Sequence, residues 1–348
     1  MSCVSDWLSD PQGSLWVLAG RKAQIGDGNE VRRLLPHRSL RTIGAWCFLD
    51  HFGPDDISAS AGLQVPPHPH IGLQTASWLF DGLVLHRDSL GNEQLIRPGE
   101  LNLMTSGRGI THSEESPAGT PARPALLHGV QLWIALPKER QFMAPDFAHY
   151  AELPAVDVAA SRSGGSLAGL PGARVTVVAG EFAGHRSPAV VHTPLVGLEV
   201  ALPAGGSVTL ATQQGFEYGV IAADGPASVS AAGCSVMACD YADSGVAGGA
   251  RATAGPAVIE PGLLAHLPAG STSIELSAAG PNRFFVVGGV PLGERLVMWW
   301  NFVGRTAEEI ASARDSWVAG DGRFGEVRGY PGTPLAAPPL PPGTLQPR

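Results

Sequence analysis

Charge is scarce in this 348-residue chain and leans acidic, with 23 Lys and Arg against 31 Asp and Glu and only 16% charged residues. A formal net charge of −8 leaves no basic face for counterion-driven contact with phosphate backbones, which argues against direct nucleic-acid binding. Cysteine is as sparse. Cys3, Cys47, Cys234 and Cys239 form no CxxC pair, so neither a disulfide framework nor a zinc ribbon is expected. There is no GxSxG elbow to support Ser-His-Asp hydrolysis. The opening MSCVSDWLSDPQGSLW lacks the basic and apolar regions of a signal peptide, and no uncharged apolar run reaches membrane-span length. A cytoplasmic protein with no membrane contact is expected.

Glycine, proline and apolar residues are abundant. The 45 Gly and 30 Pro imply many turns, hence many short strands, and 44% hydrophobic residues suffice for well-buried cores. The length allows two domains. Strands are expected at SLWVLAG (14–20), at Ala45–Leu49 and, most densely, between 65 and 114, with one more over 129–137. Asp81-Gly82 has the composition of a two-residue hairpin turn joining Thr75–Phe80 to Leu83–His86. Residues 151–172 turn to Ala, Ser, Gly and Pro, as a linker would. A second strand series begins at 173.

These signals give an all-β fold: a domain over 1–150, a linker over 151–172, a second β domain over 173–290 and a C-terminal segment over 291–348. In that segment, Thr306 and Glu309 form a capping box for an amphipathic helix over 307–317. A Pro-rich tail follows, expected to run extended.

Chemistry concentrates in two short stretches. His68-Pro69-His70 and His112-Ser113-Glu114 each place ligand-type side chains at i and i+2, on one face of a strand. A lone HxH is more often structural, but the second pair repeats the geometry and adds a carboxylate. A site of His68, His70, His112 and Glu114 suits one divalent metal ion, Fe first, with Mn, Co, Ni, Cu or Zn admitted. Three neutral imidazoles and one carboxylate leave it a net charge near +1, able to accept an anionic oxygen ligand. Parity assigns the remaining neighbours. Glu115 should face solvent. Gln74, sharing the parity of the HxH pair, should point into the pocket as a hydrogen-bonding residue. His86, paired with Ser77 across the expected hairpin, should face away. His51 could lie near the pocket mouth, though a structural role fits it better. No HxH follows residue 150, so the second domain is expected to be metal-free.

Longer stretches carry a resemblance. PHPHIGLQT (67–75), HRDSLGN (86–92), PGELNLMTSGRGITHSEE (98–115) and HGVQLWIALP (128–137) resemble the pirin family of the cupin superfamily. The resemblance implies two tandem cupin-type β-barrels, a bicupin, with metal only in the first. It implies the ligands His68, His70, His112 and Glu114, with iron the usual metal. Several bacterial pirins resemble quercetin dioxygenases in activity, and some eukaryotic members act as redox-sensitive transcriptional coregulators. One departure stands out: the family's Arg-Gly-Phe-Glu after HPH is Ile71-Gly72-Leu73-Gln74 here, an amide in place of a carboxylate. The expected function is a metal-dependent dioxygenase on a flavonol-like small molecule, with a metal- or redox-dependent regulatory binding protein as the alternative. The family implies a monomer, and no protein partner is legible.

Overall fold

The computed structural model describes residues 14–26, 28–117, 124–161, 172–232, 235–240, 248–249 and 256–347. The fold is nearly all β, as expected, with one α-helix among the described residues, Ala307–Ala319. The chain forms two compact units that interleave near the N-terminus. One gathers the described residues of Met1–Arg21 with Arg32–Phe48 and Leu153–Leu292; the other gathers Lys22–Val31, Leu49–Glu152 and Gly293–Arg348. Residues 1–13 and most of the expected linker, 162–171, lie outside the described residues, whereas Ala155–Val158 is a strand paired with Ala173–Ala179.

The first unit is built on a nine-stranded sheet. Its centre runs Leu195–Leu202, Asn282–Gly289, Glu217–Ala222, Leu263–Leu267, Ser14–Ala19. A four-stranded sheet of Ser207–Ala211, Ser273–Ser277, Ala227–Ala231 and Ala257–Ile259 completes the unit. Alternate residues such as Val175, Val177, Leu198, Val200, Val286 and Phe284 build a continuous apolar core.

The second unit is built on two main sheets and a two-stranded one, Val297–Trp299 with Phe302–Gly304. The smaller main sheet orders Gln64–His70, Ile110–Glu115, Val84–Asp88 and Glu93–Ile96; the larger centres on Leu101–Thr105, Leu73–Asp81, Leu126–Ala135 and Trp46–Asp56. The chain changes sheet at two glycines. Gly72 takes a φ of +72°, where a Cβ would fall 2.0 Å from the Val303 carbonyl oxygen, so only glycine fits that corner. Gly82, at φ +101°, makes the second corner.

The second corner corrects one expectation. Leu73–Asp81 pairs with Leu101–Thr105 and Leu126–Ala135, not with Val84–Asp88, so Asp81-Gly82 is a crossing between sheets and not a hairpin turn.

The C-terminal segment is part of this second unit. Thr306 caps the helix, its hydroxyl accepting from Glu309 N while the Glu309 carboxylate accepts from Thr306 N. Ile310 and Ala313 are buried with Ile71, Val297, Phe302 and Phe324, and Trp299, Trp300 and Trp317 pack around them. The Pro-rich tail is held down: Leu335 N donates to the Pro67 carbonyl at 2.8 Å, and Trp317 Nε1 donates to the Leu335 carbonyl at 2.9 Å. No helix among the described residues is long and apolar enough to cross a membrane.

Candidate metal centre

Strand pairing brings the two motifs together. Ile110–Glu115 lies antiparallel to Gln64–His70, with His112 opposite His68 and Ile110 opposite His70. The register slips between His112 and Glu114, which places Glu114 opposite Val65. Such bulges re-aim a side chain at the cost of one ladder position. All four residues are buried, Glu114 the most accessible at 7%.

Among the described residues, two groups have ligand atoms within 4.8 Å of one another: His68, His70 and His112, and His86, His112 and Glu114. The three expected histidines therefore converge. Glu114 belongs to the second group, sharing His112 with the first.

Hydrogen bonds fix how the three rings are protonated. A carbonyl oxygen can only accept, so His68 Nδ1 donates to Pro66 O and His70 Nδ1 donates to Asn301 O, both at 2.9 Å. For His112 the chain is one link longer. His86 Nε2 donates to Asp88 Oδ2 at 3.2 Å, and on the other side of the same ring His86 Nδ1 meets His112 Nδ1 at 3.4 Å, as the acceptor for a His112 Nδ1 hydrogen. Asp88 is itself held by Leu90 N, Asn92 N and the Asn92 amide. Each imidazole thus turns an Nε2 lone pair toward the others. His70 Nε2 and His112 Nε2 face each other at 3.0 Å with no hydrogen to share. Two lone pairs in that position repel unless a cation lies beside both. Two metal–nitrogen bonds of about 2.1 Å at a right angle leave their nitrogens about 3.0 Å apart, so the donor set fits a divalent ion.

Burial sets the charge states. It lowers the pKa of His68 to about 4 and holds those of His70 and His112 well below the ordinary value, so all three are neutral at pH 7. Burial pushes the Glu114 carboxyl up, against the opposing effects of His86, Ser77 and Gln131. Ser77 Oγ donates to Glu114 Oε1 at 2.8 Å. A bound cation would favour the ionised carboxylate.

Two parity assignments are corrected. His86 does not face away: it sits opposite Glu114 in the strand ladder, is 2% exposed and is the hydrogen-bond partner of His112. The hairpin used to orient it does not form. Gln74 does not share the pocket face. Along Leu73–Asp81 the register with Leu126–Ala135 is regular over 73–79, so Ser77 and Gln74 lie on opposite faces. Ser77 meets Glu114, and Trp133, opposite Thr75, sets its ring against His70 at 5.1 Å. Gln74 instead donates to Thr105 Oγ1 at 2.9 Å. Parity does not carry across the Gly72 corner.

Other expected placements are simpler. Glu115, on the opposite face from Glu114, is ion-paired with Arg87 and half-buried, not free in solvent. His51 is buried, its Nε2 2.8 Å from His128 Nε2. Both metal-type groups lie in the second unit, and none is found among the described residues of the first.

Comparison with known proteins places the chain. The family model described as Pirin matches residues 28–134, and that described as Pirin C-terminal cupin domain matches 197–325. A Pseudomonas aeruginosa protein named "Putative quercetin 2,3-dioxygenase" is 41% identical over 93% of this chain and 90% of its own length. A Caulobacter vibrioides "Pirin-like protein" is 33% identical over 87% of this chain and 93% of its own. The crystal structure of quercetin 2,3-dioxygenase from Acinetobacter baumannii superposes with a TM-score of 0.80 at 39% identity, covering 95% of this chain and 97% of the other.

Proposed function

The chain belongs to the pirin family, and on that premise we propose that it is a metal-dependent dioxygenase acting on a flavonol-like small molecule. One divalent ion, iron by preference, would be held by His68, His70, His112 and Glu114. The observation that carries this reading is the convergence of one ring nitrogen from each of His68, His70 and His112 within 4.8 Å, with His70 Nε2 and His112 Nε2 3.0 Å apart. When bound, the ion supplies Lewis acidity toward a substrate hydroxyl and a path for electrons between substrate and dioxygen.

The chain supplies the rest. The carbonyls of Pro66 and Asn301 and the Asp88–His86 pair hold the three rings in one tautomer, so no imidazole must turn or lose a proton to become a ligand. Glu114 brings the single negative charge, oriented by Ser77 and Gln131. One carboxylate against a divalent ion leaves net positive charge, which favours a substrate oxygen as its anion. Trp133 gives an apolar wall beside His70 that can shelter an aromatic ring from water. Gln74 takes no part, since its amide is turned to Thr105. The replacement of the family's carboxylate at that position therefore does not remove a group from the pocket face.

The test is oxygen consumption by protein loaded anaerobically with Fe(II). Uptake is expected with quercetin, and not with a flavone lacking the 3-hydroxyl. Stoichiometric iron with no uptake on any flavonol would overturn the dioxygenase reading while leaving the metal site standing.

A further inference from the structure

The apolar unit contains a cavity that the reaction above does not use. Its volume is about 570 Å³, within the roughly 300–1,000 Å³ typical of small-molecule sites. It opens between that unit's two sheets. Leu198, Tyr218 and Val286 come from the nine-stranded sheet, and Leu210 and Ile274 from the four-stranded one.

Its chemistry narrows the ligand. The rings of Phe182, Phe216 and Tyr218 line it, which suits a planar aromatic compound. Among the described residues, the charged ones on its wall, Glu181 and Arg186, are paired with each other at 2.6 Å, so an uncharged ligand fits best. No metal-type group lies among the described residues of this unit, which points to an organic molecule.

Two hydroxyls supply polarity. Tyr218 is 3% exposed, and its oxygen accepts from Gln213 N at 2.7 Å, which leaves its own hydrogen to donate. Burial raises its pKa, so that hydrogen is retained at neutral pH. Thr193 borders the same space, and its buried Oγ1 has no hydrogen-bond partner among the described residues.

A short hairpin, Glu181–Phe182 with His185–Arg186, borders the cavity. Its two-residue turn is Ala183-Gly184, at φ +50° and +78°. An alanine in the left-handed region is strained, and such strain concentrates at ligand clamps.

We propose that this cavity binds an uncharged planar aromatic ketone, with Tyr218 donating its hydroxyl hydrogen to the ligand carbonyl. The inference does not depend on the dioxygenase reading. Chromone is a suitable probe because it lacks the enol needed to chelate a metal, and chroman is the matching ring without the carbonyl.

Calorimetric titration should show saturable chromone binding, one per chain, to wild type and equally to a His68→Ala/His112→Ala variant. Chroman should bind about tenfold more weakly to wild type, and Tyr218→Phe should erase that difference. If Tyr218→Phe does not fold, ligand-to-protein Overhauser contacts in wild type with labelled phenylalanine should reach Phe182 and Phe216. No saturable binding at millimolar chromone, loss of binding in the metal-site variant, unchanged discrimination in Tyr218→Phe, or contacts confined to other phenylalanines would each overturn the proposal.

Discussion

In one β unit the strands turn Val175, Val177, Leu198, Val200, Phe284 and Val286 inward; in the other they turn His68, His70, His112, Glu114, Ser77 and His86 inward. Both units are built of strands, and the second adds this polar cluster to an apolar core of its own that includes Phe52, Val65, Leu79 and Ile96. An apolar interior stabilises by about 25 cal/mol for each Å² taken from water. A polar interior costs free energy unless every group is paired. The metal unit meets that condition by giving each imidazole an acceptor for its Nδ1 hydrogen, but it leaves the Nε2 atoms facing one another. The remaining mismatch is what a cation would resolve. One interior is therefore closed by apolar packing alone, whereas the other carries ligand-type groups that an ion could join.

The comparison is broken most severely by opening the apolar core. Phe284→Ala should cost about 3–5 kcal/mol in denaturant unfolding, because Phe284 is fully buried. The protein that remains folded should keep its full metal content, measured by elemental analysis. Loss of metal in step with stability would show that the two interiors are not separable.

Acid should act on the metal unit. In metal-free protein the folded pKa of His68 is about 4 against an ordinary 6.5, and His70 and His112 shift the same way. Between those values the unfolded chain binds more protons than the folded one. Stability should therefore be full above pH 6.5 and fall as the pH drops toward 4, by about 3 kcal/mol for His68 alone. Glu114 works in the opposite sense, because its raised pKa lets the folded state take a proton first. Three histidines outweigh one carboxyl, so unfolding at pH 7 and pH 5 should show a net loss; equal stabilities would contradict burial of the three histidines in their neutral form.

A smaller change sharpens the role of the hydrogen-bond relay. Asp88→Asn removes the carboxylate that orients His86 and, through it, His112. Metal affinity should fall about 10- to 100-fold with the fold retained, read by competition with a chelator. The smallest effect is local: Thr306→Ala deletes the helix cap and should cost about 1 kcal/mol without changing metal content.

Much of this was legible in the sequence wherever the reasoning stayed within one strand. HPH and His112 each lie on a single strand, and the three histidines converge, while the bulge before Glu114 sets its carboxylate in a second group with His112 and His86. The capping box at Thr306 is equally local, and the helix it starts runs to Ala319, two residues beyond the expected end. Parity failed across corners. Gly72 and Gly82 take the chain from one sheet to another, and no alternation survives such a bend. Gln74 was misplaced by the first corner and His86 by the second.

A usable signal was present for His86. His86-Arg87-Asp88 repeats the i, i+2 spacing of the two ligand motifs, and all three lie in the same four-stranded sheet. Ser77, Gln131 and Trp133 had no such mark, because their contacts with the site depend on how two sheets face each other. The Asn301 carbonyl is a backbone atom 231 residues from His70, which no side-chain pattern encodes.

The central claim is that one metal ion is held by the convergent histidines and Glu114 of a single unit. Its most direct test is the metal content per chain after loading with excess Fe(II) and removal of unbound ion, for wild type and for His68→Ala/His112→Ala, with circular dichroism confirming that both are folded. The account predicts one ion per chain in wild type and none in the variant. A folded variant that keeps its iron, or a folded wild type that binds none, would contradict it.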